Sequence, residues 1–307
     1  MELRQLRYFV SIVRARSFSR AAAELGVVTS ALSQQISRLE GELATRLLQR
    51  TSTGVVPTDA GLAFWRQAQL ALRHADDAVL AAQQARLSGH VSVGLAPTTA
   101  TVLGLPLMQA MRERYPDVRL HLVESLSGDL AGMLNARQID LAVLFRADAA
   151  RRWSVTPLLD ERLFVIGARS LGLPSTARTR LARVAGLPLV LPSSAHDLRS
   201  VVDAAFARAR RAPTVVAEID GLAMLMGAVA AGLAATIQPG AAASLLPDGD
   251  FAVVEIGDAD VRRPNLLASL SDDELSPAGL AARVVMAEVA RTLVRAGRWA
   301  GGSLHEG

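Results

Sequence analysis

The chain has 307 residues, half of them apolar, a length that holds two or three domains with a sizeable core. With no cysteine and no lysine, it excludes disulfides, thiolate metal sites, cysteine catalysis and a Walker A phosphate loop. Its net charge of +4 lies in residues 1–58, where eight arginines face four glutamates; the remaining 25 basic and 25 acidic groups cancel. Confined positive charge of this kind is what phosphate neutralisation requires.

The opening MELRQLRYFVSIVRARSF is amphipathic, with arginine throughout and no apolar core or cleavage site, so cytoplasm is the expected location. In Phe18 to Leu43, Ser19 is placed to cap a short helix and Phe18 to staple its entry. Ala21, Ala22, Ala23 and Leu25 form that helix, and Gly26 suits a left-handed exit. Thr29 is placed to cap a second helix, in which Leu32, Ile36, Leu39 and Leu43 make one buried stripe. Ser30, Ser33, Gln34, Ser37 and Arg38 occupy the opposite face. This pattern predicts a helix-turn-helix whose second helix reads DNA, although an ordinary helical hairpin shares the same periodicity. LLQRTSTGVVPTDAG then predicts a β-hairpin wing, with Ser52, Thr53 and Gly54 in its turn and Arg50 at its base as a phosphate ligand.

Leu6, Phe9, the run SFSRAAAELGVVTSALSQQISRLEGEL, LLQRT and PTDAG together resemble the winged helix-turn-helix of LysR-type transcriptional regulators. The resemblance covers residues 1 to about 61 most specifically, continues over the whole chain, and is closest to nitrogen assimilation control regulators. Two positions depart from the family pattern: Ser30 stands where proline is usual, and Thr53 where a basic residue is frequent. The resemblance implies an operator of double-stranded DNA approached by Thr29, Ser30, Ser33, Gln34, Ser37, Arg38 and Arg50. It further implies a homodimer or homotetramer, contact with RNA polymerase, a small-molecule or anion effector, and neither cofactor nor membrane.

Pro57, Thr58 and Asp59 open a long helix expected to run to about Ser88. Leu62, Trp65, Leu72, Val79 and Leu87 form a near-heptad stripe along it, which predicts pairing with a second copy; packing against its own domain is the other outcome. From Val91 short apolar strands alternate with helices. VSVGLA, RLHLVES and DLAVLF give one βαβαβ unit, implying a parallel sheet. LFVIGA, LARVAG, LPLVLP, a helix from Asp197 to Arg210, TVVAEI and LAATI give a second, and NLLASLS returns the chain to a final helix capped by Ser276. The fold class is α/β: a winged helix-turn-helix (1–58), a linker and dimerisation helix (59–89) and a two-lobed effector domain resembling periplasmic binding proteins (90–307). Lobe I is expected over about 90–161 and 266–307, lobe II over about 162–265. The apolar run Leu222 to Ile237 is too short, and too interrupted by Gly227 and Gly232, to span a membrane.

Ligands of open α/β sheets lie beyond the carboxyl ends of the strands. That rule nominates Thr98, Thr99, Ser125, Ser127, Phe145 and Arg146 in the first half, and Ser193, Ser194 and Gln238 in the second. Taken singly, each hydroxyl reads first as a simple helix cap; their convergence suggests a cleft with Arg146 as its cation and few carboxylates nearby in sequence, suited to a small anion. Catalysis has little support. Ser193, Ser194, His196 and Asp197 are too close in sequence to face one another as a triad, and no G-x-S-x-G elbow precedes them. The histidines at 74, 90, 121, 196 and 305 show no metal spacing. A solute-binding protein or enzyme of the same two-lobed fold is the alternative, disfavoured by the N-terminal segment and its charge.

Overall fold

The computed structural model describes residues 1–51, 54–83, 87–146, 153–194, 196–258 and 261–304. It divides into two compact units, Met1–Arg86 and Leu87–Gly307.

In the first unit, α1 (Leu3–Ala15), α2 (Phe18–Leu25) and α3 (Thr29–Glu42) enclose Phe9, Ile12, Ala21, Ala22, Leu32, Ile36 and Leu39. Gly26 leaves α2 at φ 66°, and its N–H returns to the carbonyls of Ala22 and Ala23. A side chain is strained at that angle, so glycine sets the tight turn. The cap of α2 is Ser17 rather than Ser19: its hydroxyl accepts the N–H of Arg20, and Phe18 is already helical. The chain enters the helix two residues earlier because Ser17 is extended, as a capping residue must be. Likewise Val28, not Thr29, occupies the cap of α3, and Thr29 is its first helical residue. Leu43 falls just beyond α3 and is partly exposed, so the buried stripe ends at Leu39.

Strands β1 (Leu48–Thr51) and β2 (Gly54–Pro57) pair antiparallel as the wing. The expected turn residues Ser52 and Thr53 lie outside the described residues. Two ties position the wing. Glu40 Oε1 accepts the N–H groups of Leu47 and Leu48, at 2.7 and 3.0 Å. The N–H of Val55 donates to the carbonyl of Arg16 at 3.1 Å. Thr58 caps α4 (Asp59–Gln83) by accepting the N–H of Gly61, while its hydroxyl reaches the carbonyl of Arg46. Gly61 is required there, because a Cβ would stand 1.9 Å from the carbonyl oxygen of Leu47.

The stripe along α4 is divided. Trp65 and Leu72 are half-buried against Leu6, Val10 and Ala68, whereas Leu62 and Val79 are exposed. Residues 84–86, through which the helix was expected to continue, lie outside the described residues, and Leu87 packs into the core of the second unit.

The second unit is α/β. Its elements are β3 (Gly89–Leu95), the short α5 (Pro97–Thr99), α6 (Leu105–Arg114), β4 (Val118–Glu124), α7 (Ser127–Asn135) and β5 (Leu141–Leu144). After them come β6 (Ser154–Ala168), β7 (Arg178–Thr179), β8 (Pro188–Leu191), α8 (Asp197–Arg208), β9 (Thr214–Glu218) and α9 (Leu222–Ala230). The chain closes with β10 (Thr236–Pro239), β11 (Phe251–Ile256), β12 (Arg262–Ser269), α10 (Pro277–Arg295) and β13 (Gly302–Ser303). Strands β4, β3 and β5 are parallel, as the βαβαβ order predicts. The sheet as a whole is mixed, in the order β4-β3-β5-β12-β6-β11-β7, because β6 and β12 run antiparallel to each other and to their neighbours β11 and β5.

Strand β6 is one continuous element of 15 residues, not a strand beginning near Arg162. LARVAG forms a single 3₁₀ turn at Leu181–Arg183, and FAVVEI supplies β11, which was not foreseen. Separate apolar cores define two lobes. Leu103, Leu107, Leu141, Val143, Val285 and Met286 fill lobe I. Leu189, Leu191, Val202, Phe206, Ile237 and Val254 fill lobe II.

Candidate DNA-reading face and interlobe cleft

Burial of Leu32, Ile36 and Leu39 turns the opposite face of α3 outward, and Thr29, Ser30, Gln34, Ser37 and Arg38 are exposed on it. Ser33 is partly buried at the edge of a groove of about 640 Å³ between α3 and the wing. Arg46 and Gln49 line the same groove and were not singled out from sequence; Gln49 lies within the expected wing and Arg46 just before it. Arg38 reaches Glu42 one turn on, at 3.3 Å between exposed groups, a pair too solvated to hold it away from a phosphate. Arg50 stands in β1, and its side chain lies outside the described residues.

In the second unit, one small cavity of about 40 Å³ lies at the carboxyl ends of β3, β4, β5, β8 and β9. Lobe I contributes Thr98, Ser127 and Phe145; lobe II contributes Gln238, His196, Asp197 and Asp220; and Arg263 comes from β12, which crosses between them. Leu126, Leu198, Ile219, Leu222 and Leu225 supply apolar wall. Four of the nine nominated residues, Thr98, Ser127, Phe145 and Gln238, therefore meet here. The other five do not line it. Thr99 is fully buried, its hydroxyl 3.5 Å from Asn265 Oδ1. Ser125 turns to Asp129 at 3.4 Å, and Ser193 spends its backbone N–H on Asp220 at 2.8 Å. Ser194 is exposed, and Arg146 is an exposed side chain outside the cavity wall.

Arg146 is also not the cation of the cleft. That group is Arg263, one residue of the run RRPNLL, buried and already neutralised by Glu161 at 2.7 Å. Trp299 Nε1 donates to the other oxygen of Glu161, Arg263 Nη2 donates to Thr98 Oγ1 at 2.8 Å, and the guanidinium lies 3.8 Å over the Phe145 ring. The expectation of few carboxylates is corrected too, since Asp197 and Asp220 both line the cavity. The backbone N–H of Ser193 holds Asp220 below the usual carboxylate range. Burial pushes His196 below the usual imidazole range despite Asp220 at 3.5 Å, and its Nε2 has no hydrogen-bond partner. The triad suggested by Ser193, Ser194, His196 and Asp197 does not assemble, because Asp197 faces Ser127 and Asp220 holds Ser193 by its backbone. Among the described residues no group of three or more His, Asp or Glu side chains could hold a metal, and no helix is long and apolar enough to cross a membrane.

Comparison with known proteins assigns both units. Residues 3–62 match the bacterial regulatory helix-turn-helix protein, lysR family, and residues 84–293 match the LysR substrate binding domain. The nitrogen assimilation regulatory protein nac of Klebsiella aerogenes is 39% identical over 249 residues, 80% of this chain and 81% of its own length. A full-length OxyR variant from Pseudomonas aeruginosa superposes with TM-score 0.74 at 24% identity, covering 95% of each chain. Full-length CbnR complexed with its target DNA gives TM-score 0.67 at 24% identity, covering 94% of this chain and all of that one.

Proposed function

The chain belongs to the LysR family of DNA-binding transcriptional regulators, and from that premise we propose which of its residues read an operator and how the molecule responds to a ligand. It is a regulator and not an enzyme. Ser33, Gln34 and Arg38 approach base edges in the major groove, with Ser37 beside them, while Thr29, Ser30 and Arg50 fix register on the phosphates. The observation that carries this assignment is the outward polar face of α3 in the one segment holding the excess positive charge.

Leu62 and Val79, left exposed on α4, join two copies, and paired dimers present two half-site clusters on the operator. The interlobe cavity takes a small effector whose binding changes closure between the lobes, and transcription follows through contact with RNA polymerase in the cytoplasm.

Footprinting and gel shift test the DNA assignment. Gln34→Ala is expected to change sequence preference. Arg50→Ala is expected to weaken all sites alike and to lower the salt slope by about one unit. Wild-type binding by both variants would reject this face.

A further inference from the structure

We infer that the interlobe cleft carries its own carboxylate ligand, Asp197, and therefore rejects anionic effectors. The inference rests on the proposed role of the cleft in holding an effector. Asp197 is the first residue of α8 in lobe II, where the helix N-terminus favours a negative group. Both of its oxygens cross to lobe I. Oδ2 accepts the hydroxyl of Ser127 at 2.7 Å, and Oδ1 meets Arg146 Nε at 2.9 Å. Ser127 is in turn the first residue of α7, so two helix starts face one carboxylate. A hydroxyl and a helix N-terminus at the cavity, with the exposed Arg146 guanidinium outside its wall, are what a free carboxylate would seek here. The chain has filled that place itself.

The remaining polar groups continue the pattern. Arg263 is matched by Glu161, and Thr98 is occupied by Arg263. What is left toward the cavity is the Gln238 amide, His196 Nε2 and the Asp220 carboxylate, with Leu126, Leu198, Ile219, Leu222 and Leu225 around them. In that set the Gln238 amide can donate or accept, the Asp220 carboxylate only accepts, and no cation is left to neutralise an anion. It suits a small uncharged hydrogen-bond donor with an apolar body, of the alcohol or amide class. Asp197 is thus a specificity-determining residue as well as a bridge between lobes.

Acetate and acetamide have the same shape and differ in charge, which makes them the probes. Thermal melting of the full chain is followed against each, for wild type and for Asp197→Ala. Acetate is expected to raise the Tm of Asp197→Ala saturably while leaving the wild type unmoved, and acetamide is not expected to replace acetate in the variant. A wild type stabilised by acetate as strongly as the variant would overturn the inference, as would a folded Asp197→Ala that acetate does not affect. Asp197→Asn and Ser127→Ala preserve volume more closely and serve if Asp197→Ala does not fold. Amide hydrogen exchange in residues 126–130 is expected to quicken about tenfold in both; unchanged exchange would show that no bridge exists. Wild-type operator binding measured alongside tests the regulator assignment separately. Acetate binding by the wild type would sink the internal ligand while leaving that assignment standing.

Discussion

At the scale of single residues the cleft is governed by groups that already have partners. His196 departs from that pattern, its Nε2 buried without a hydrogen-bond partner. Its folded pKa lies below the ordinary imidazole value because burial disfavours the charged ring. The unfolded chain therefore binds a proton first as pH falls below about 6.5. The histidine's contribution is fully present above that value and is lost as pH drops toward the depressed folded pKa. His196→Gln, which cannot titrate, is expected to flatten the decline of Tm between pH 7.5 and 5.5, and melting curves across that range are the check. An equal slope in both proteins would mean that Asp220 holds the ring charged. That Thr98, Ser127, Phe145 and Gln238 line one cavity was legible in the sequence, because all four stand at or near strand ends. Arg263 was not, since an arginine between Arg262 and Pro264 gives no local sign that a carboxylate 102 residues away will face it. Asp197 was visible only as part of a triad that does not form. Its true partner, Ser127, is 70 residues distant.

At the scale of elements, α4 shows why periodicity alone could not assign the linker helix. One heptad stripe serves two surfaces: Trp65 and Leu72 cover α1, and Leu62 and Val79 face outward. Val79→Arg is accordingly expected to weaken self-association while leaving the fold of the first unit intact. Leu72→Arg is expected to lower stability by about 2–3 kcal/mol, since it buries a charge among Leu6, Val10 and Ala68. Light scattering and urea unfolding on both variants separate the effects, and unaltered association in Val79→Arg would place the dimer contact elsewhere. The helix-turn-helix was legible almost to the residue because Gly26 and the small alanines leave few alternatives. Its caps slipped by one or two positions: Ser17 and Ser19 both suit a cap chemically, and only backbone geometry chooses between them. The mixed sheet was hidden for another reason. Alternating strands and helices predict parallel pairing, and a strand passing through both lobes breaks that rule only once partners are known.

At the scale of the whole second unit, β6 and β12 carry the chain between lobes, and the buried Glu161–Arg263 pair sits on that crossing as direct cross-strand neighbours. Removing one member leaves the other charge buried and alone. Glu161→Gln is expected to cost about 3–5 kcal/mol in urea unfolding, whereas replacing both members with apolar residues of similar size costs far less. A small loss in the single variant would mean that the lobes part without exposing the pair.

The register of the same two strands has a further consequence. Arg162 is paired with Arg262, so the chain departs for lobe II and returns from it at adjacent points. Antiparallel partners lie only about 5 Å apart, which a tight turn can bridge. Lobe II is in effect an insertion with neighbouring ends, spliced into a lobe I whose strands continue on either side of the junction. A foreign lobe with similarly close ends could be grafted at that seam without altering the pairing of β12 with β5. The sensing half is in that sense a cassette, and chimaeric regulators that keep this α3 and wing but answer to a new ligand would be cut at Arg162 and Arg262.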